Sequence, residues 1–257
     1  MRLRRLLLPA LCALPVLALL LGLGTWQVRR LHWKEALLAR IAAAEAAPPR
    51  PLEPGAAPPE PYAKVRATGR FDHAREALLG LEVRGTTLGA HLLTPLLRDD
   101  GSPPLLVDRG WVPLERSAPV ERPEGEVAVT GYVRAPDARD WNSPRDDGAG
   151  RRFYTFDPPA IAAALGLPGA APFGLVALAP PPPPALPRGV PVLERVDAPR
   201  ALPAPARGLP RPNNPHLGYA ITWYGLALAL VGVFAAFARR RLAEPAVATE
   251  GRPGPEA

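Results

Sequence analysis

Residues able to do chemistry are few and widely spaced in this chain of 257 residues. There are four His, at positions 32, 73, 91 and 216, and one Cys. The lone Cys12 excludes an internal disulfide, a Cys-based zinc site, an iron–sulfur cluster and C-x-x-C-H haem attachment. The chain has no G-x-S-x-G motif, no glycine-rich phosphate loop and no H-E-x-x-H motif. The sequence therefore predicts no catalytic residue and indicates a protein that is not an enzyme.

Acid–base chemistry is weakly indicated at His73, which lies near Glu76, but a solvated turn explains this residue better. Asp108 and Arg109 precede Gly110, and we expect them to form a structural ion pair at the end of a strand. No acidic pair has a sequence neighbour that would tune its pKa for proton transfer. These positions are expected to serve the fold.

Two long apolar segments dominate the hydropathy pattern. Residues 6–24 and 217–237 carry no charged side chain and are 19 and 21 residues long. A bilayer core about 30 Å thick requires about 20 apolar residues in a helix, so both segments can span a membrane. A cleaved signal peptide is the alternative for the first segment. The second segment favours two retained transmembrane helices.

Arginines indicate on which side of the membrane the two ends lie. Residues 1–5 contain three Arg, and Arg239–Arg241 follow the second span. Short Arg-rich flanks stay in the cytoplasm, so we expect both termini inside and residues 25–213 in the periplasm of a bacterial inner membrane. These six Arg also supply most of the net charge of +7. No basic face with interleaved aromatics remains, so we expect no nucleic-acid partner.

The region between the spans divides by composition. Residues 31–46 are expected to continue the first helix, and residues 48–61 form a Pro-rich linker. A β domain is expected over 62–197, with a Pro-rich connector over 198–212. The cytoplasmic tail, 238–257, is expected to be disordered.

Alternating and continuous apolar runs predict the strands of the β domain. They cover residues 62–70, 77–83, 88–97, 104–112, 126–134, 172–179 and 190–196. Asp99-Asp100-Gly101 predicts a hairpin turn. Asp157-Pro158-Pro159 and Gly166 delimit one short helix from Ala160 to Leu165. The pattern predicts a small antiparallel β domain, barrel-like or sandwich-like, flanked by two transmembrane helices.

Aromatic residues mark the outer ends of both spans. On the first span, one helical face carries two Trp and two Arg: Trp26, Arg29, Arg30 and Trp33. The outer turns of the second span carry Tyr219, Trp223 and Tyr224. Both groups are typical of an aromatic belt at the membrane interface, and contact with a ligand is the alternative.

The start of the second span carries the strongest functional pattern. Asn214 can cap the helix, and Pro215 suits its first position. Helical spacing places five residues on one face: His216, Tyr219, Ala220, Trp223 and Ala227. An imidazole beside flat aromatic rings and small residues would suit a haem with His216 as axial ligand. An interfacial His that bonds lipid headgroups is the alternative.

Motifs in a fixed order resemble the surfeit locus protein family, over most of residues 10–240. They are Gly24-Thr25-Trp26-Gln27-Val28-Arg29-Arg30, Gly69-Arg70-Phe71-Asp72-His73, Val107-Asp108-Arg109-Gly110-Trp111-Val112-Pro113, and Asn213-Asn214-Pro215-His216-Leu217-Gly218-Tyr219-Ala220 with Trp223. The residues that we assign to the structural motif are Trp26, Gln27, Arg30, Gly69, Arg109, Gly110, Trp111, Asn213 and Asn214. Pro215 is a departure, because the family pattern places Asn next to His.

The resemblance implies a bacterial membrane assembly factor of cytochrome c oxidase. It implies transient binding of haem a and help with its insertion into the oxidase catalytic subunit. His216 is then the axial ligand, Trp223 and Tyr219 are further haem contacts, and no other metal is expected. The implied partners are the catalytic subunit, the haem a synthesis machinery and the lipid bilayer. The alternatives are a haem-independent scaffold for oxidase subunits and a membrane-tethered periplasmic enzyme.

Overall fold

The computed structural model describes residues 4–115, 118–180 and 202–243. It divides into two compact units, one formed by residues up to Ala39 and from Pro212 onward, the other by Arg40–Arg211. The predicted strand at 190–196 lies outside the described residues, as do the start of the predicted connector and most of the predicted tail.

Two long helices form the described part of the first unit, and the last seven residues of the first helix belong to the second unit. Helix α1 covers Arg4–Ala46 and α3 covers His216–Ala243. Both are long and apolar enough to cross a membrane, with mean hydropathy of 2.6 and 2.0 over their most apolar windows. Only 6% and 11% of those windows are buried, which is unlike the core helix of a soluble protein and fits helices that face lipid. α1 continues through Pro9 and Pro15 without a break.

The second unit contains a sheet of eight strands within the described residues. Their bounds are β1 Arg50–Pro51, β2 Lys64–Phe71, β3 Ala77–Arg84, β4 Thr87–Leu97, β5 Leu105–Pro113, β6 Glu126–Arg134, β7 Arg152–Phe153 and β8 Gly174–Ala177. The short helix α2, Pro158–Ala164, lies between β7 and β8.

The sheet closes into a barrel in the order β2-β6-β8-β5-β4, because β4 pairs back onto β2 at Leu96 and Phe71. The predicted fold class is therefore confirmed, with the barrel as the form that occurs. The sheet is mixed, since β1–β2, β3–β7 and β5–β8 are parallel pairs. β8 runs parallel to β5 because the chain crosses over through β6, β7 and α2 before it returns.

Apolar side chains fill the barrel because the strands alternate as predicted. Val65 and Ala67 of β2 are buried, whereas Arg66 between them is exposed. The interior cluster contains Val65, Ala67, Leu96, Leu105, Val107, Val129, Val133, Ala171 and Leu175. All of β5 is buried, since one face lines the barrel and the other joins the cluster that includes Ile161 of α2.

Helix α2 forms where its capping residues predict. Oδ1 of Asp157 accepts a hydrogen bond from the Ala160 N–H at 3.2 Å, and Pro158 lies in the first turn, where no donor is needed. The hairpin predicted at Asp99-Asp100-Gly101 is also confirmed, because it joins the antiparallel strands β4 and β5.

Residues 202–206, where the described part of the chain resumes, are called the strap. The Trp111 N–H donates to the Ala204 carbonyl at 3.0 Å, and the Ala204 N–H donates back at 2.9 Å. The Ala206 N–H donates to the Ala177 carbonyl at 3.0 Å. The predicted connector thus pairs with the ends of β5 and β8. Two residues of the predicted linker likewise form β1.

Candidate functional site

His216 is held by a residue of α1. Its Nδ1 lies 2.8 Å from Oε1 of Gln27, whose side chain is buried. A carbonyl oxygen only accepts, so Nδ1–H of His216 donates, and Nε2 of the neutral imidazole keeps its lone pair. Nε2 has no hydrogen-bond partner among the described residues. A neutral imidazole held in this way is the form that binds a metal, including haem iron.

Close packing of α1 on α3 supports this contact. A Cβ at Gly24 would lie 2.8 Å from the ring of Tyr224, so only glycine admits the ring in its present position. The Thr25 hydroxyl donates to the Leu21 carbonyl at 2.8 Å and lies 3.0 Å from the Tyr224 hydroxyl. Because the Thr25 proton is already used, the Tyr224 O–H donates to Thr25. Ala220 is buried between these polar contacts along α3.

The surface beside His216 is open. Tyr219 is 54% exposed, and Trp223 is half-buried. Partly exposed aromatic side chains thus lie on the same face of α3 as the imidazole. These residues fit a haem, which needs one nitrogen ligand and room for a wide planar ring.

The predicted cap of α3 is wrong. Oδ1 of Asn214 is buried and has no hydrogen-bond partner in the described part of the chain. The first backbone hydrogen bond of the helix runs from the Tyr219 N–H to the Pro215 carbonyl at 3.4 Å. α3 begins at His216, so Pro215 separates the Asn side chain from the first turn that it was expected to satisfy.

A charged cluster in the barrel was missed from the sequence. Nδ1 of His91 lies 2.9 Å from Asp108, and its Nε2 lies 2.9 Å from Oε2 of Glu82. Adjacent strands β3, β4 and β5 supply the three residues. Asp108 is almost fully buried, and a buried carboxylate requires a partner. The sequence signal that could have revealed the cluster is Asp108, a charged residue inside the apolar run of β5.

The cluster favours the charged form of His91. Burial disfavours the imidazolium, but hydrogen bonds and charge from Asp108 and Glu82 outweigh it and raise the pKa of His91 above its usual value. The guanidinium of Arg84, which donates twice to Glu82, lowers the pKa of that carboxyl. An imidazolium therefore links two carboxylates across three strands.

The expected ion pair between Asp108 and Arg109 does not form. Both residues lie inside β5, and successive side chains of a strand point to opposite faces. Asp108 contacts His91, whereas Nη1 of Arg109 lies 3.5 Å from Glu76. Nη2 of Arg109 donates to the Glu121 carbonyl at 2.6 Å.

The prediction of a solvated turn at His73 is also wrong. Its side chain is only 19% exposed. Its Nδ1 lies 3.1 Å from Glu76, and its Nε2 lies 3.0 Å from the Pro123 carbonyl. Arg122 binds the other oxygen of Glu76 at 2.7 Å. Residues distant in the sequence therefore cover this turn.

The described residues contain no group of three or more His, Cys, Asp or Glu that could hold a metal ion.

A family model described as the SURF1 family matches residues 14–228. The chain belongs to the SURF1 family. The resemblance found in the motifs is therefore confirmed, and the matched region runs from the first apolar helix into the second.

Named SURF1-family relatives cover much of the chain. Surfeit locus protein 1 of Homo sapiens is 31% identical over 248 residues, which is 85% of this chain and 73% of the human protein. Surfeit locus protein 1 of Xenopus tropicalis is 29% identical over 232 residues, 81% of this chain and 68% of the frog protein. The Cytochrome oxidase assembly protein SHY1 of Saccharomyces cerevisiae is 34% identical over 148 residues, 53% of this chain and 38% of the yeast protein.

Proposed function

We propose that this SURF1-family protein is a membrane assembly factor of cytochrome c oxidase that binds haem a through Nε2 of His216. It would assist insertion of the haem into the oxidase catalytic subunit. The yeast relative is named as a cytochrome oxidase assembly protein, which supports the assembly role. The observation that carries the haem role is the hydrogen bond from His216 to Gln27, which leaves one imidazole nitrogen available.

The protein's own residues bind and orient in this proposal. Gln27 fixes the His216 tautomer and ring plane, and the partly exposed rings of Tyr219 and Trp223 offer flat surfaces to a planar ligand. When bound, haem supplies an iron that accepts an imidazole nitrogen. A single protein ligand keeps the bound group exchangeable, as delivery to another protein requires.

An apolar groove lies further along the helix pair. It has a volume of about 140 Å³ and is lined only by apolar side chains, among them Leu14 and Leu17 of α1 and Leu230 and Phe234 of α3. Leu230 is fourteen residues from His216, which corresponds to about 20 Å along a helix. This groove suits the long apolar tail of haem a, which lipid would otherwise surround.

We place the protein in the inner membrane with both termini in the cytoplasm and the barrel in the periplasm, because Arg239–Arg241 follow the second span. Its partners are the oxidase catalytic subunit, the machinery of haem a synthesis and the bilayer. The protein acts without catalysing a reaction.

Haem content tests the site. We would purify the full chain in detergent from cells that make haem a, together with His216→Ala and the control His32→Ala. His32 lies in α1, within the same unit as His216, and its side chain is 72% exposed and contacts Glu35. We expect loss of the haem spectrum in His216→Ala and its retention in His32→Ala. Equal haem in His216→Ala and the unchanged chain would contradict the site.

The same preparations distinguish the haem-independent scaffold. If the unchanged chain carries no haem but still co-purifies with oxidase subunits, the scaffold is correct. Deletion of the gene should also lower the a-type haem signal in membranes, and an unchanged signal would contradict the assembly role.

A further inference from the structure

A cavity in the barrel unit has no role in the function proposed above. Its volume is about 410 Å³, a size typical of small-ligand sites. It lies among β5, β6, β8 and the strap, wholly within Arg40–Arg211. We propose that this cavity binds an organic oxyanion, a carboxylate or phosphate carried on a partly apolar body.

The acidic groups of the cavity are already used as acceptors. Asp108 accepts from His91 at 2.9 Å and from the Gly110 N–H at 3.0 Å. Asp137 accepts from Nη2 of Arg134 at 3.0 Å and from the Phe156 N–H at 2.9 Å. Each carboxylate therefore already accepts two hydrogen bonds from the protein and is paired with a cationic side chain, which weakens the attraction of the cavity for a further cation.

Several groups of the cavity that can donate a hydrogen bond lack a partner among the described residues. Tyr62 and Tyr132 line the cavity, and the hydroxyl of neither has a hydrogen-bond partner among the described residues. Burial, with the nearby charge of Asp108, raises the pKa of Tyr132 to about 12, so its hydroxyl stays protonated and able to donate. Nη1 of Arg134 lies 3.8 Å from Asp108, which is too far for a hydrogen bond.

Arg134 is held in place for such a role. Its guanidinium carbon lies 4.6 Å from the ring centre of Phe156, a cation–π contact, while Nη2 is bound by Asp137. Only 28% of the side chain is exposed. A positioned guanidinium loses little conformational freedom when it binds a planar carboxylate or a phosphate.

The backbone beside the cavity has an uncommon conformation. Tyr62 has φ of 71°, which is rare for a residue other than glycine, and its N–H donates to the Val133 carbonyl at 2.9 Å. Strained residues of this kind cluster at binding sites. Apolar side chains of Pro61, Pro136 and Val176 complete the wall, so the ligand requires an apolar part as well as a charge.

Calorimetric titration of the purified full chain in detergent tests the site. The probes are phenylbutyrate for a carboxylate and phenyl phosphate for a phosphate, with the neutral alcohol phenylbutanol and equal ionic strength of sodium chloride as controls. We expect saturable binding of at least one anionic probe and none of the alcohol. The probe that binds more tightly identifies the oxyanion.

Variants locate the binding. Arg134→Gln should weaken it about tenfold or more, and Tyr132→Phe, which removes one hydroxyl, by about threefold to tenfold. The matched control is Arg70→Gln, because Arg70 is 65% exposed and pairs with Asp99 away from the cavity. Thermal unfolding of each variant shows whether it is folded.

Three outcomes would overturn the proposal. The first is no saturable binding of either anion, and the second is equal binding of the alcohol. The third is unchanged affinity for the anion in both Tyr132→Phe and Arg134→Gln, with Arg134→Gln folded. The result is independent of haem, since His216→Ala should bind the anion as the unchanged chain does. Failure of the haem proposal and failure of this one are therefore distinguishable.

Discussion

Nδ1 of His216 and Oε1 of Gln27 are 2.8 Å apart, and this hydrogen bond joins α3 to α1. An amide buried in an apolar helix is costly unless it is paired. The pairing explains why a Gln occupies this position, and it leaves the opposite side of the imidazole available.

Substitution of Gln27 tests whether it positions His216. Gln27→Leu removes the acceptor at similar size, and we expect haem affinity to fall about tenfold or more, as is typical when the partner of a ligating His is lost. Gln27→Glu keeps an acceptor and should retain affinity. Absorbance titration with haem measures both. Equal affinity in the two variants would show that Gln27 has only a packing role.

The stability of the barrel should depend on pH through His91. Its pKa is raised in the folded protein by Asp108 and Glu82, so the imidazolium stabilises the fold below the unfolded value of about 6.5. This contribution is lost as pH rises through the folded pKa. Arg84 and Arg134 also face the cluster, through Glu82 and Asp108, but they stay charged over this range.

Unfolding midpoints measured from mildly acidic to mildly alkaline pH check this dependence. The difference in stability between the unchanged chain and His91→Gln should be largest at acidic pH and should shrink as pH rises. A difference that is constant with pH would show that His91 is neutral in the fold.

Gly110 should be intolerant of a side chain. It has φ of 121°, and a Cβ there would lie 2.1 Å from the Ala204 carbonyl oxygen of the strap. We expect Gly110→Ala to lower the free energy of unfolding by about 3 kcal/mol, because strain and a backbone clash add. Gly125 also has positive φ, of 80°, but open space around it, so Gly125→Ala should cost about 1 kcal/mol. Chemical denaturation compares them, and equal losses would contradict a role for the strap.

Glu76 should contribute more to the stability of the fold than an exposed carboxylate does. Its side chain and that of Arg109 are 10% and 8% exposed, so Glu76→Ala leaves a buried guanidinium without its counterion. We expect a loss of about 3 kcal/mol. The control is Glu45→Ala, where the partner Arg211 is 78% exposed and the loss should be under about 1 kcal/mol. Similar losses in the two variants would indicate that the Arg109 pair is solvated.

Local sequence signals predicted most elements of the fold. Period-two alternation predicted that Val65 and Ala67 lie on the buried face of β2, and Asp157 with Pro158 predicted the start of α2. Such features depend on neighbours in the chain. The barrel's parallel pair β5–β8 was not predicted, because it depends on a crossover that no local pattern encodes.

The candidate site was only half predictable for the same reason. His216 stands out by its position at the end of an apolar run. Its partner Gln27 is 189 residues away in the sequence. The family resemblance assigned Gln27 to the structural motif and did not link it to His216. The links from His91 to Glu82 and Asp108 likewise depend on strand register, so the three residues looked unrelated in the sequence.

The strap has a consequence for the growing polypeptide. Trp111 is synthesised well before Ala204, so the end of β5 has unpaired main-chain groups until the strap emerges. An open strand edge is a template for association with other chains. Products that stop before Leu202 are therefore expected to aggregate through β5, whereas the full-length chain covers that edge with its own backbone.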